Sequence, residues 1–198
     1  KEEIHSEIGS DFYFGGLSDE VSGGLHPSKF VNGLATSLIS LGVILCENTK
    51  VISIKKLGSY YEVITHKGTI KAGRVVVATN GYTDNLVPKL NPKVFPVGSY
   101  IIVSEPLTKD LQKKLSPKGR MFYDSKWFIN YFRLTPDGRM LWGGRNDLST
   151  DLDLQESAEI LSKEVRSVFP ELEKVQFTNT WTGKLGITFD LMPHIGQV

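Results

Sequence analysis

The sequence is poor in the residues that staple, cleave or chelate. Its 198 residues contain one cysteine, Cys46, so no disulfide can close within the chain. A single thiol points to a reducing compartment, read here as cytoplasmic. There is no HExxH, no CxxC and no clustered His/Asp set, so no metal is expected. No Gly-x-Ser-x-Gly is present and no Ser-His-Asp set declares itself, which removes the common hydrolase signatures. Charge of one sign is lacking too. Lys and Arg number 23 against 22 Asp and Glu, a net charge of +1 with the basic residues scattered. Neither nucleic acid nor an anionic membrane is therefore expected as a partner. The most apolar stretch, residues 30–45, is interrupted by Asn32, Thr36, Ser37, Ser40 and two glycines, too short and too polar to span a membrane. The opening "KEEIHSEIGS" has no apolar core of a signal peptide.

What is present suits a globular protein. An apolar share of 40% over this length supports a substantial core without staples. "YFGGLSDEVSGGLHPSKF" is glycine-rich and reads as loop. A helix follows, with Pro27 in its first turn, Phe30, Leu34, Leu38 and Leu41 at helical spacing, and Gly42 as its stop. "VILCENTKVISIKKL" reads as strand, turn, strand. "YYEVITHKGTIKAGRVVVATN" continues as strand, a Lys67-Gly68 turn, a short strand and a final apolar strand. Helix and strands together make an α/β unit. Beyond Asn91-Pro92 the pattern changes. "VGSYIIVSEPL" is a long strand, "NYFRLTPDGRMLWGG" a β-hairpin turning at residues 136–138, and "DLQESAEILSKEVRSVFP" an amphipathic helix with Leu154, Ala158, Leu161, Val165 and Val168 on one face. "VQFTNTWTGKLGIT" is strand again. This second region reads as an antiparallel sheet with a covering helix, so the fold class is α+β and α/β mixed. The boundary is expected between Asp84 and Pro96.

The run "GRVVVATNGYTDNL" carries the first functional hint. Val75, Val76, Val77 and Ala78 are unbroken apolar, and the run then switches to Thr79, Asn80 and Gly81. A strand apolar on both faces belongs to a sheet covered on both sides. Ligands of such sheets bind beyond the strands' C-terminal ends. Small residues there permit close approach, and a short helix starting at Asn80 would expose backbone N–H groups to a polar ligand. The alternative is a plain strand-to-loop turn, since Asn-Gly is a common turn pair.

In order, "GGLHPSKFVNGLATSLISLGVILCENTKV", "GTIKAGRVVVATNGYTDNL", "VFPVGSYIIVSEPL", "YFRLTPDGRMLWGGR" and "WTGKLGITFDLMPHIG" resemble the FAD-dependent amine and amino-acid oxidoreductases of the D-amino-acid oxidase/glycine oxidase superfamily, most nearly its γ-glutamylputrescine oxidoreductase-like branch. The resemblance implies a Rossmann-like FAD-binding domain in part, over residues 1–90. It implies a substrate domain over 91–180 and the start of a return to the FAD domain over 181–198. The family's Gly-x-Gly-x-x-Gly loop, which cradles the FAD pyrophosphate, does not precede Gly15. Both ends look cut, so the chain is expected to be a central piece of a flavoenzyme, with FAD held weakly or not at all by the piece alone.

The resemblance also assigns residues. Val51 would contact adenine, chiefly through its backbone, and Ala78, Thr79, Asn80 and Gly81 would line the FAD site. Tyr131 and Arg133 share one face of the first hairpin strand, because alternate residues do. By resemblance that face looks onto the substrate cavity, where an arginine pairs with a carboxylate bidentately. The alternative for Arg133 is a surface pair with Asp124 or Asp137. Tyr100 and Trp127 are weaker candidates for aromatic walls, since aromatics are more often core. Trp181, Gly183 and Gly186 belong to the returning segment. Glycine oxidase-like members carry a carboxylate-binding arginine near that point, whereas "KLGITFD" has Lys184 and no arginine. That departure favours an amine or modified polyamine, such as a γ-glutamyl-polyamine, over an α-amino acid. His194 reads as a turn residue before a proton carrier, His26 as structural, and His5 and His66 as solvent-exposed.

The implied reaction oxidises a C–N bond by hydride transfer to flavin, a chemistry that needs no named acid or base when the amine arrives neutral. No catalytic residue is assigned. Two other readings stand beside it: a sarcosine- or glycine-type N-methyl or amino-acid oxidase, and a non-catalytic remnant or small-ligand-binding domain without FAD. The expected partners are a small-molecule amine and, through exposed sheet edges, a second copy in a homodimer.

Overall fold

The computed structural model describes residues 2–144 and 153–197. In chain order the elements are α1 (Glu2–His5), α2 (Pro27–Ser40), β1 (Val51–Leu57), β2 (Tyr60–Thr65), β3 (Gly68–Ala72), β4 (Val94–Pro106), α3 (Lys109–Leu115), β5 (Met121–Tyr123), β6 (Tyr131–Leu134), β7 (Arg139–Gly144), α4 (Leu154–Val168) and β8 (Phe177–Thr188). Three-residue 3-10 turns stand at Asn80–Tyr82, Asp84–Leu86 and Pro170–Leu172. The chain is mixed α/β with antiparallel sheets, and it divides into two compact units: Lys1–Ser18 with Phe95–Ile187, and Asp19–Val94 with Thr188–Val198.

The larger unit is a five-stranded sheet in the order β5-β6-β7-β4-β8. Directly opposed residues share a face. Ile102 opposes Trp142, and Trp142 opposes Phe132, so these side chains form one apolar row. The Phe132 and Trp142 rings stack with centroids 4.3 Å apart and planes 11° from parallel, and Phe169 meets both edge-on. Helix α4 closes this face. Asp153 caps it, Oδ1 accepting from the N–H groups of Gln155 (2.7 Å) and Glu156 (3.2 Å). Its stripe of Leu161, Val165 and Val168 is buried in the same core.

Residues 1–18, which the sequence groups with the FAD-binding part, pack here instead. Ile8 is buried and Ile4 and Tyr13 lie against the core, which gives these side chains an apolar seat. Gly9 N–H donates to the Leu115 carbonyl at 3.0 Å, and a Cβ at Gly9 would stand 1.8 Å from the Lys114 carbonyl oxygen. Only glycine permits this approach. Glu7 pairs with Lys118 and Arg120, and these two partners hold its carboxyl below the usual range.

The smaller unit holds an antiparallel sheet ordered β1-β2-β3, with a tight Lys67-Gly68 reversal, as the sequence indicates. Helix α2 also forms as read. His26 Nδ1 accepts from Lys29 N–H at 3.5 Å and Gly42 takes a φ of +83°. None of its residues is buried, and Phe30, Leu34, Leu38 and Leu41 are all exposed. Two expectations need correction. Val43–Leu45 joins no sheet and Ile44 is 87% exposed. The apolar run of residues 75–78 joins neither sheet, and Val76 is 88% exposed. A strand exists through its neighbours, and among the described residues no strand pairs with either segment.

Candidate functional site

The face of the larger sheet away from α4 collects chemistry. The registers place Tyr123, Tyr131, Gly143 and Ile101 in one row across β5, β6, β7 and β4, and Met121, Arg133, Leu141 and Val103 in the next. The Tyr131 ring lies across Gly143: a Cβ there would come within 2.1 Å of Cε2, 2.4 Å of Cζ and 2.7 Å of the hydroxyl oxygen. The ring thereby spans β7, and its hydroxyl lies 2.7 Å from Ser99 Oγ on β4. The Ser99 carbonyl in turn accepts from Thr182 Oγ1 of β8 at 3.0 Å.

Arg133 stands one row along. Nη1 meets the Met121 thioether at 3.7 Å, and sulfur is a weak acceptor. The two carboxylates weighed as its surface partners are engaged elsewhere. Asp124 accepts from the Asn130 backbone (2.9 Å) and side-chain amide (3.1 Å). Asp137 is bound by Arg139 Nε at 2.8 Å and by the Thr135 hydroxyl at 2.6 Å, contacts that depress its pKa, the Thr135 bond foremost. Among the described residues Arg133 forms no ion pair. A partly exposed guanidinium with no carboxylate partner among the described residues is free to pair bidentately with an anion, and the anchored phenol stands on the same face. Tyr131 and Arg133, expected from the sequence to share a face, do so in these rows, while Ser99 and Gly143, which the structure joins to Tyr131, are not singled out by the sequence. Trp181 sits on β8, exposed, and by alternation with Phe177, which packs on the α4-side core, it lies on that side of the sheet and not in the rows of Tyr131 and Arg133.

The residues read as cofactor-lining lie in the smaller unit. Val51 opens β1, half-buried and paired with Thr65. Thr79 and Asn80 begin a 3-10 turn, where Thr79 Oγ1 lies 2.7 Å from Thr83 Oγ1 and the Asn80 carbonyl accepts from Thr83 Oγ1 at 2.9 Å. Asn80 takes a φ of +50°, Gly81 is buried and Ala78 is exposed. Strand β1 packs against the following Asp84–Leu86 turn, which brings both pieces into one neighbourhood.

Other candidates fall away. Tyr100 is 1% exposed within the α4-facing core, so it is no cavity wall: it and Ile102 are alternate residues of β4 and share the apolar side. Trp127 is 90% exposed. His194 Nε2 lies 3.0 Å from Asp190 Oδ1 in an exposed turn. Its hydrogen bond, then the Met192 N–H and Thr188 hydroxyl, hold Asp190 down at about 2. His5 faces Asp11 at 3.3 Å. Among the described residues no cluster of His, Cys, Asp or Glu could hold a metal, and no helix is long and apolar enough to cross a membrane. Arg145, which ends the hairpin motif, lies outside the described residues.

Comparison with known proteins places the chain in a family. The chain is 34% identical to a probable oxidoreductase, OrdL, of Haemophilus influenzae, over all of this chain and 46% of that protein. It is 32% identical to the γ-glutamylputrescine oxidoreductase of Escherichia coli, over 98% of this chain and 46% of that protein. It thus spans about half the length of the curated relatives it matches. Among solved structures, L-proline dehydrogenase from P. horikoshii superposes with a TM-score of 0.72 at 23% identity, covering 87% of this chain and 46% of that one. Glycine oxidase from Geobacillus kaustophilus gives 0.69 at 21%, covering 84% and 44%. These two likenesses concern the fold. The family described as FAD dependent oxidoreductase, DAO, matches residues 1–198, and the chain belongs to that family.

Proposed function

We propose that this chain works as the central part of an FAD-dependent oxidoreductase that oxidises a C–N bond of an amine, with a γ-glutamyl-polyamine as the substrate class. The carrying observation is the sheet face where Arg133, which has no carboxylate partner among the described residues, stands on the same face as the anchored hydroxyl of Tyr131. A γ-glutamyl group brings a carboxylate for Arg133 at a distance from the amine to be oxidised. The 32% identity to γ-glutamylputrescine oxidoreductase and the lack of an arginine in residues 184–190 point the same way.

The turn at Thr79–Gly81 fits part of FAD. Its polar groups are backbone N–H groups, the Asn80 side chain and the Thr79 hydroxyl, which donates to Thr83 Oγ1 and is left to accept, next in sequence to the half-buried Val75 and Val77 and near β1. That chemistry suits a ribose and a base edge. It offers no cation and no helix N-terminus for a diphosphate. Val51, Ala78, Thr79, Asn80 and Gly81 are accordingly proposed for the adenosine half. Bound FAD would accept the hydride leaving the carbon beside the neutral amine nitrogen, with the N–H proton passing to solvent and oxygen or another acceptor reoxidising the flavin; water would hydrolyse the imine to a carbonyl compound and ammonia or an amine. The chain's own share is to fix the substrate: Arg133 holds the carboxylate, and Tyr131 donates to or accepts from the polar chain beside it.

The test is the visible spectrum of the FAD-loaded protein carrying this chain, mixed anaerobically with candidate amines. Bleaching of the flavin bands by γ-glutamyl-polyamines, in preference to glycine and sarcosine, is the expected result. Bleaching by glycine or sarcosine alone would overturn the substrate class, and bleaching by no amine or amino acid would overturn the activity.

A further inference from the structure

We propose that Ser99 is a positioning residue for Tyr131, locking its ring across Gly143 so that one defined hydroxyl stands ready for substrate. The inference rests on the substrate-face reading and extends it to residues that touch no ligand.

A tyrosine opposite a cross-strand glycine has two reasons to lie flat. The ring covers the space that glycine leaves, an effect of packing alone. It can also be held at its far end by a hydrogen bond. Here both occur, and they are separable. Gly143 has no Cβ, so the ring crosses β7 at a distance that any side chain would forbid, with three ring and hydroxyl atoms inside 2.8 Å of the missing carbon. Its hydroxyl then reaches the next strand but one, meeting Ser99 Oγ at 2.7 Å. Ser99 is itself fixed, because β4 is bound on one side to β7 and its carbonyl accepts from Thr182 Oγ1 on the other. The anchor thus runs Thr182 to Ser99 to Tyr131 across four strands of the sheet.

A phenol has one hydrogen to donate and lone pairs to accept. Pairing with Ser99 uses one of these roles and leaves the other directed at a ligand. The geometry is set before any ligand arrives, so binding loses less side-chain freedom. A free tyrosine would have to choose between rotamers at that moment.

The experiment has two readouts on S99A, S99T and Y131F. The first is the Gly143 Hα resonance of the chain itself, which the overlying ring moves upfield of the ordinary glycine range. The second is kcat/KM in the FAD-loaded protein carrying this chain. Loss of the upfield shift in S99A, its return in S99T, and falls of about fivefold in kcat/KM for S99A and Y131F alike, again restored by S99T, are the expected results. An unchanged Gly143 resonance in S99A would overturn the proposal, since packing alone would then hold the ring. A changed resonance with full kcat/KM in Y131F would refute the substrate-face reading and, with it, any role of Ser99 in that reaction. Lower kcat/KM in Y131F but not in S99A would leave the reading standing and remove the proposal.

Discussion

Leu161→Ala should separate the two units energetically. Leu161 is fully buried in the core that also holds Trp142, Phe132 and Val165, and its Cδ2 lies 3.1 Å from the position a Cβ would take on Gly144. The side chain is therefore wedged onto the backbone of β7, where collapse around a void is hindered. Truncating such a leucine costs the transfer energy of its lost carbons and a cavity term, together about 3 kcal/mol. Alanine's slightly better helix propensity returns only about 0.2 kcal/mol. With a urea dependence of about 2 kcal/mol per molar, the unfolding midpoint of the larger unit should fall by about 1.5 M. Trp142 is the natural reporter, since it is buried in that core while Trp127 and Trp181 are exposed. Val76→Ala is the control. Its side chain is 88% exposed, so the change should stay within about 0.5 kcal/mol. A midpoint shift below about 0.3 M for L161A, or an equal shift for V76A, would refute the assignment of the core to the α4-facing side of the sheet.

Four further outcomes are expected. R133M should raise KM for a carboxylate-bearing amine by about 10- to 100-fold, the value of a charge-assisted contact, with kcat little changed; steady-state kinetics showing KM unaltered would exclude Arg133 from binding. N80V should destabilise the smaller unit by about 1–2 kcal/mol, because Asn80 holds a φ of +50° that a β-branched residue resists, whereas N80G should stay within about 0.5 kcal/mol; equal effects in denaturant titrations would disprove the strain. H26D should strengthen the α2 cap, now a long 3.5 Å contact to Lys29 N–H, by about 0.5–1 kcal/mol, and slow amide exchange in residues 29–32; unchanged exchange would count against it. Asp190 is depressed from 3.8 to about 2, so its contribution to the 188–194 turn is complete above pH 3.8 and is lost as pH falls through about 2; a carboxyl resonance titrating near 3.8 would show that the turn is not formed.

The larger unit was legible in the sequence because its patterns are local. The hairpin turn at residues 136–138 fixes the β6–β7 register, so Tyr131 opposite Gly143 follows from counting outward. The α4 stripe follows from its period, though Leu154 at the start of the helix is exposed. Ser99 was not legible. Its contact with Tyr131 depends on β4 lying beside β7, a pairing between segments 30 and more residues apart that no local pattern encodes. The smaller unit misled in the opposite sense. Residues 75–78 have the composition of a buried strand, yet a strand's state is decided by what pairs with it, and composition reports only the preference. The sequence leaves Tyr100 open between core and cavity wall for a related reason: an aromatic on a strand is sorted to one or the other by register, which flips with a shift of one residue, and here it is core.

The two long strands of the larger sheet have a consequence for how such proteins change over time. Residues 95–187 form one uninterrupted stretch whose entry lies on β4 and whose exit lies on β8, and these strands are neighbours in the sheet. Doorway and way out stand side by side. The stretch is thus a cassette: its sheet rows, covering helix and hairpin can be exchanged as one through an adjacent pair of junctions, without rerouting the chain that flanks them. Only Lys1–Ser18 joins this unit from elsewhere in the sequence.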